Sequence, residues 1–204
     1  SDDYKALVIH NEGKNFSVGA NIGLMLFASN IAAWPQVQSG IKGGQDVFMK
    51  LRLGNFPVVS APSGIAVGGG CEILMHSDAV QAHAETYTGL VEVGVGVMPG
   101  WGGCKEMIRR HLGNKRAPRG PMPALVKAFE LIGTAQVAKS AMEAQRDFLI
   151  INEDDTITFN KERVLFDAKQ RALGMVEGYQ PPEEETFRLP GATGRAAIDM
   201  ALHD

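Results

Sequence analysis

The N-terminal half of the chain alternates short apolar runs with glycine-marked turns, a pattern that predicts strand–turn–helix units. Two runs of small and β-branched apolar residues predict strands at residues 6–9 and 56–61. Pro57 fits the second strand because it stands near its start, where no ladder hydrogen bond is lost. The other elements predicted in this half are helices over residues 22–27, 41–53, 69–77 and 103–112, and a strand over residues 79–88.

A segment rich in proline and glycine, residues 117–123, precedes a second part in which helical patterns dominate. Ser140, with Glu143 three positions later, is a capping-box pattern and predicts the start of a helix. The chain is therefore divided into a core, residues 1–116, and a helical C-terminal region, residues 117–204. The further elements predicted here are a hairpin over residues 149–159, a helix over 161–177 that Asn160 caps, and a final helix over 196–202.

Composition narrows the range of functions. The chain has 204 residues, 45% of them hydrophobic, which is enough for one domain with a substantial core. Its net charge of −3 argues against a nucleic-acid-binding surface, and no apolar run approaches the ~20 residues of a membrane span. The two cysteines, Cys71 and Cys104, stand apart without clustered histidines. This usage argues against a metal site and fits a reducing, cytoplasmic setting.

The most informative stretch is residues 61–103, where two carboxylates, Glu72 and Glu92, stand in apolar, glycine-rich surroundings. Three consecutive glycines precede Glu72 and five glycines follow Glu92 within this stretch. Glycine lets backbone approach a ligand closely, and a glycine run that opens a helix leaves free N–H groups. Two carboxylates beside such donors suit acid/base chemistry on a substrate whose oxygen becomes negative.

Each of these features also has a purely structural explanation. Glu72 in the first turn of a helix complements the helix dipole by roughly 0.3–1 kcal/mol, and Glu92 fits the outward position of an alternating strand. The glycine triplet lacks the Lys-Ser/Thr of a phosphate-binding loop and the GxGxxG spacing of a dinucleotide site. Nucleophilic catalysis is disfavoured because the sequence has no Gly-x-Ser-x-Gly elbow and neither cysteine has an obvious histidine partner.

Three motifs, in the same order, resemble the enoyl-CoA hydratase (crotonase) superfamily. AVGGGCE, residues 66–72, is similar to the family's helix start, and VEVGVGVMPGWGG, residues 91–103, to its PE-x-x-x-G-x-x-P-G-x-G-G run. ALVIHNEGKNFSVGANI, residues 6–22, resembles the family's strand and first oxyanion loop. The resemblance implies an α/β fold, a crotonase-like spiral of strand–strand–helix units with a helical C-terminal region. The family's first strands precede this point and are expected to be missing from the chain.

The resemblance also implies roles for individual residues. Glu72 and Glu92 match the family's two catalytic glutamates, and the backbone N–H groups of Ala20 and Gly69 match its two oxyanion donors. The residues expected to contact the acyl-CoA substrate are Ser17, Gly19, Asn21, Ile22, Gly68, Val91, Pro99 and Gly100.

The chain departs from the family pattern at three positions. Asn21 stands where an aspartate is common, and Gly23 stands where some members carry a basic residue. Both changes concern the contacts with CoA more than the chemistry. Trp101 stands where a small residue is usual, and this indole is expected to narrow or cover the acyl end of the site.

The activity that the resemblance implies is hydration of trans-2-enoyl-CoA to 3-hydroxyacyl-CoA in fatty-acid β-oxidation, by a two-glutamate acid/base mechanism. The alternatives are an enoyl-CoA isomerase, which commonly works with one catalytic acid, and a non-catalytic acyl-CoA-binding module. No cofactor or metal is expected in this chain, because the acyl-CoA is the substrate.

The expected partners follow from the same resemblance. The sequence of residues 90–107 resembles that of hydratase modules fused to 3-hydroxyacyl-CoA dehydrogenases more than that of free-standing enzymes. The chain is therefore expected to come from such a fusion, with NAD bound only in the dehydrogenase domain. Either a homo-oligomer formed through the C-terminal helices or contact with the dehydrogenase domain is expected.

Overall fold

The computed structural model of the protein describes residues 4–202, in which short strands alternate with helices. The strands are β1 (Leu7–His10), β2 (Val58–Ala61), β3 (Ile65–Val67), β4 (Ala79–His83), β5 (Tyr87–Gly89) and β6 (Thr156–Thr158). The helices are α1 (Ile22–Asn30), α2 (Trp34–Arg52), α3 (Gly69–His76), α4 (Gly103–Leu112), α5 (Pro121–Gly133), α6 (Ala141–Arg146), α7 (Val164–Gly174) and α8 (Ala192–Ala201). Short 3₁₀ helices span Glu92–Val95 and Lys161–Arg163.

The strands form two parallel sheets that the chain visits in turn. The main sheet has the order β1-β2-β4-β6, and the second sheet pairs β3 with β5. The chain runs β2–β3–α3 and then β4–β5 into the first 3₁₀ helix, so each unit gives one strand to each sheet. Ser17 extends the second sheet through a parallel bridge to Ala66. This repetition confirms the predicted strand–strand–helix architecture.

Local sequence explains where the elements around the site begin. The side chain of Asn21 caps α1 because its Oδ1 accepts a hydrogen bond from the Leu24 N–H at 3.1 Å. The φ of Gly68, +56°, lies in the left-handed region that favours glycine, and α3 starts at the next residue. Strand β2 is buried along its whole length, which fits an apolar run in a parallel sheet.

Two hydrophobic clusters hold the molecule together. The larger one joins α3, α4 and α5 through buried side chains such as Leu74, Met107 and Leu131. The smaller one lies between the main sheet and α7, where Val59 and Ala168 are fully buried. Helix α3, which carries Glu72, is therefore fixed within the larger core.

Two predicted elements are wrong. The strand predicted over residues 79–88 is broken by a turn, because the hydroxyl of Thr86 donates to the His83 carbonyl at 2.7 Å. Strands β4 and β5 consequently belong to different sheets. The hairpin predicted over residues 149–159 is absent, since β6 pairs in parallel with β4 instead. The Asp155 carboxylate supports this arrangement by accepting the Val80 N–H at 2.8 Å.

The part of the chain after residue 116 contains helices α5 to α8, but it also supplies strand β6 to the main sheet. The C-terminal region is therefore not purely helical, and the division into residues 1–116 and 117–204 stays a prediction. Residues 1–3 and 203–204 of these two regions lie outside the described residues. The proline-rich link starts α5 at Pro121, since a proline in the first helical turn needs no hydrogen-bonded N–H.

Membrane-spanning helices and metal-binding clusters are both absent from the described residues. Between residues 4 and 202, no helix combines the length and hydropathy needed to cross a bilayer. In the same range, no group of three or more histidine, cysteine or acidic side chains is arranged to hold a metal ion. Both cysteines are free thiols.

Candidate active site

A cavity of about 720 Å³ opens where the start of α3 meets α1, α2 and the segment after β5. Both predicted glutamates, Glu72 and Glu92, lie on its wall. The other lining residues are mostly apolar or glycine: Val18, Gly19, Ala20, Ile22, Met25, Leu26, Ser29, Val37, Ile41, Gly68, Gly69, Val91, Val95, Gly96, Val97, Met98, Pro99, Gly100 and Trp101. An apolar cavity with a few convergent polar groups has the character of a small-molecule site.

Glu72 is held in one orientation by backbone. It lies in the first turn of α3 and is 1% exposed. Its Oε1 accepts hydrogen bonds from the N–H groups of Trp101, at 2.9 Å, and Gly103, at 2.8 Å. Burial raises the pKa of this carboxyl, and the two N–H donors oppose that shift because they stabilise the carboxylate. The result is an oriented carboxyl group beside an apolar cavity.

Glu92 begins the first 3₁₀ helix, so the alternative that placed it in a strand is wrong. Gly68 gives its side chain room, because a Cβ atom there would lie only 3.3 Å from the Glu92 Oε1. The other carboxyl oxygen, Oε2, is buried without a hydrogen-bond partner among residues 4–202. Burial, with a smaller contribution from the nearby charge of Glu72, raises the pKa of Glu92 to about 7. At neutral pH this group can therefore either give or take a proton.

The backbone N–H groups of Ala20 and Gly69 belong to two segments that are in close contact. The loop that carries Ala20 is tied to β3, because Ser17 accepts the Val67 N–H at 3.0 Å. A Cβ atom on Gly19 would lie 2.8 Å from the Gly69 nitrogen, so a glycine is required for this approach. Neither the Ala20 nor the Gly69 N–H has a protein acceptor within residues 4–202. Both residues line the cavity, so their N–H groups are available to a ligand oxygen.

Six of the eight residues predicted to contact the substrate line this cavity: Gly19, Ile22, Gly68, Val91, Pro99 and Gly100. The other two make bonds within the protein. The Ser17 hydroxyl accepts the Gly19 N–H at 3.2 Å, and Asn21 caps α1. Contact of Ser17 and Asn21 with a substrate stays a prediction.

The apolar wall of the cavity was largely missed by the sequence analysis. Val37 and Ile41 line the cavity but stand in a segment without a recognisable motif, and Met98 lies in a motif whose matching positions are a glutamate, glycines and a proline. The available signal was α1, whose nine residues, IGLMLFASN, carry no charge and include no fully buried residue. A helix that is apolar on every face and still not buried is unusual for a surface helix, and it marks a ligand or partner surface.

Comparison with known proteins agrees with this fold. The family model described as "Enoyl-CoA hydratase/isomerase" matches residues 1–126. A Bacillus subtilis protein named "Probable 3-hydroxyacyl-CoA dehydrogenase" is 43% identical over 197 residues, covering 96% of this chain and 24% of that protein. A "Short-chain-enoyl-CoA hydratase" of Clostridium acetobutylicum is 38% identical over 146 residues, covering 71% of this chain and 49% of that protein.

The solved structure of an enoyl-CoA hydratase from Polaromonas sp. JS666 aligns with a TM-score of 0.67 at 25% identity, over 87% of this chain and 61% of that one. The chain therefore belongs to the enoyl-CoA hydratase/isomerase family, and its fold is crotonase-like. It spans only about a quarter of the Bacillus relative and about half of the Clostridium relative.

Proposed function

We propose that this chain carries the site at which trans-2-enoyl-CoA is hydrated to 3-hydroxyacyl-CoA. One observation carries the proposal: Glu72, Glu92 and the unpaired N–H groups of Ala20 and Gly69 meet on one apolar cavity. Hydration of a conjugated thioester needs three things at once. They are donors for the thioester oxygen, a base for the attacking water and an acid for the adjacent carbon.

The proposed roles follow from the environment of each glutamate. Glu72, oriented through Oε1 by two N–H donors, takes a proton from water as the water oxygen bonds to Cβ of the substrate. Glu92, with a pKa of about 7, is partly protonated at neutral pH and delivers its proton to Cα. The two carboxyl groups end the step with their protonation exchanged, and exchange with solvent restores them.

The Ala20 and Gly69 N–H groups bind the thioester oxygen in this proposal. Negative charge develops on that oxygen when water adds to Cβ, because the intermediate is an enolate. The apolar walls strengthen the two hydrogen bonds, since few competing dipoles are present. In enzymes of acyl transfer, loss of one donor of this kind raises the activation free energy by ~2.7–4 kcal/mol, and a similar increase is expected here.

Two other activities compete with hydration. An enoyl-CoA isomerase commonly needs one catalytic acid, and the presence of two acidic groups on the cavity favours the hydratase. Binding of acyl-CoA without catalysis does not require a buried carboxyl whose pKa is raised to about 7. Such a group is typical of a catalytic site, which disfavours a non-catalytic binding module. The three possibilities differ in what happens to the conjugated enoyl thioester.

The test follows the absorbance of that conjugated thioester with crotonyl-CoA as substrate. The wild-type protein should remove the absorbance, and Glu72→Gln and Glu92→Gln should each lower kcat by ~10²–10⁴-fold. Glu12→Gln, an exposed position outside the cavity, is the matched control and should retain wild-type turnover. Binding of saturated butyryl-CoA should persist in both glutamine variants, which separates lost chemistry from lost binding.

Opposite outcomes refute the proposal in distinct ways. An absorbance that stays constant while butyryl-CoA binds would favour the binding module. Absorbance that increases when a 3-enoyl-CoA is supplied, with none lost from crotonyl-CoA, would favour the isomerase. Wild-type turnover in either glutamine variant would remove that glutamate from the mechanism.

We further propose that the complete protein also oxidises the product through a 3-hydroxyacyl-CoA dehydrogenase domain outside this chain. Support comes from the Bacillus relative, which carries that name and of which this chain matches 24%. NAD would then bind outside residues 1–204. The parent reading frame tests this directly, because absence of a dinucleotide-binding segment from it would refute the fusion. Self-association of the chain is a separate proposal, and a strict monomer in sedimentation at high concentration would contradict it.

A further inference from the structure

Trp101 contacts the site in two different ways. Its backbone N–H donates to the Glu72 Oε1, while its indole lines the cavity. The indole also lies over the start of α3, because a Cβ atom on Gly69 would be 2.8 Å from the Trp101 Cζ3. On the opposite edge, a Cβ atom on Gly44 of α2 would overlap the indole Nε1. The ring therefore fills the space between α2 and α3.

The indole is part of a fixed wall. The Phe48 ring packs against it with centroids 5.4 Å apart, and the His76 ring packs against Phe48 at 5.3 Å. The loop that carries Trp101 is fixed as well, since the Gln45 side chain donates to the Gly100 carbonyl at 2.8 Å. These contacts come from buried or helical residues, so the ring has little freedom to swing out of the cavity.

The present inference rests on the proposed function. It depends on where the indole ring lies relative to the bound substrate. The thioester oxygen would lie at the Gly69 N–H, and the indole covers the α-carbon of that same residue. In that placement, the acyl carbons beyond Cβ would extend into the part of the cavity that Trp101, Val37 and Ile41 line. We propose that the Trp101 indole ends the acyl pocket and restricts the site to short acyl chains, with Gly44 as the socket that admits the ring.

The first test measures the ratio of kcat/KM for trans-2-octenoyl-CoA to that for crotonyl-CoA. Trp101→Ala should raise this ratio by more than tenfold, because each additional buried methylene is worth about 4-fold. Trp101→Phe, which retains a smaller ring, should raise it less. A tryptophan that only stabilises the fold would change both values by the same factor, so an unchanged ratio in a folded variant overturns the proposal.

The second test compares alanine substitutions at two neighbouring glycines of α2, Gly44 and Gly43. Gly44→Ala should push the indole into the cavity and lower kcat/KM for crotonyl-CoA, whereas Gly43→Ala should not, because nothing lies within 4 Å of its added methyl. Both changes gain the same helix propensity, so they are matched. In a Trp101→Ala background, Gly44→Ala should have no further effect on kcat/KM. Equal effects of Gly44→Ala with and without the indole would overturn the assignment of Gly44 as the socket.

A binding measurement separates failure of this inference from failure of the hydratase proposal. Titration of the protein with saturated butyryl-CoA and octanoyl-CoA requires no chemistry. Trp101→Ala should strengthen octanoyl-CoA binding relative to butyryl-CoA by more than tenfold, even if the protein hydrates nothing. If the relative affinities stay unchanged while crotonyl-CoA is hydrated, the indole does not limit the pocket and only the present inference fails.

Discussion

Replacement of Glu92 by glutamine should stabilise the protein at alkaline pH while it removes activity. The Glu92 carboxyl has a pKa of about 7 in the folded protein against an ordinary value of 4.5, mainly because it is desolvated. Below pH 4.5 the carboxyl is protonated in both the folded and the unfolded states, so burial adds no penalty. Above pH 7 it is charged in both states, and the folded state is destabilised. The penalty therefore grows as pH rises from 4.5 to 7.

The size of the effect can be bounded. At ~1.36 kcal/mol per pKa unit, the difference corresponds to a limit of about 3 kcal/mol at alkaline pH. Because Glu92 has partial access to solvent, the destabilisation that develops between pH 5 and pH 8 is smaller, about 1–2 kcal/mol. For a chain of this length that change is about 3–6 °C in the thermal midpoint. Glu92→Gln replaces the carboxyl with an amide that does not titrate, so the variant should lack this penalty.

The assay is thermal unfolding of the wild-type and Glu92→Gln proteins at pH 5 and pH 8. The quantity of interest is the Tm of the variant minus the Tm of the wild type, so titrations elsewhere in the molecule cancel. This difference should increase from pH 5 to pH 8. Glu12→Gln at the surface is the control and should give the same difference at both pH values. An equal difference for Glu92→Gln at both pH values would refute the claim that Glu92 is desolvated.

Two further predictions concern a backbone contact and a buried histidine. Gly19→Ala should lower kcat/KM by about 10²-fold or more, because its methyl would lie 2.8 Å from the Gly69 nitrogen, whereas Gly178→Ala has a similar positive φ without a close contact and should retain activity. A wild-type rate in Gly19→Ala would contradict the role of that contact. Burial lowers the pKa of His111 from 6.5 to about 4, so stability present above pH 6.5 should decrease by about 2 kcal/mol between pH 7 and pH 5. His111→Met should reduce this loss of stability at acid pH. If the free energy of unfolding, measured by denaturant titration at pH 7 and pH 5, falls equally in the variant and the wild type, the prediction is disproved.

Motif-bearing segments could be identified from sequence because their information is local. Glu72 follows a glycine run, and that run specifies the start of α3. The predicted caps Ser140 and Asn160 accept the N–H bonds of the following helices, since capping depends only on residues two or three positions away. The family and the crotonase-like fold followed from three such segments in the right order.

Long-range pairing was beyond the reach of the sequence. The apolar pattern of residues 79–88 is continuous, yet a turn at Thr86 sends the two halves to different sheets. The pattern around β6 was compatible with a hairpin, and only the parallel partner β4, more than 70 residues away, decided its pairing. Strand periodicity specifies which face is buried, but it carries no information about the neighbouring strand.

The same division holds for the site. The sequence by itself determined that two glutamates, a glycine run and an oxyanion-type loop are present, because these are properties of single segments. Only the tertiary structure decided that Gly19 lies against Gly69, that Gly68 makes room for Glu92, and that Gly44 admits the Trp101 ring. Each of these contacts depends on a missing Cβ atom opposite a residue distant in sequence. The identity of that neighbour is set by packing of the whole chain.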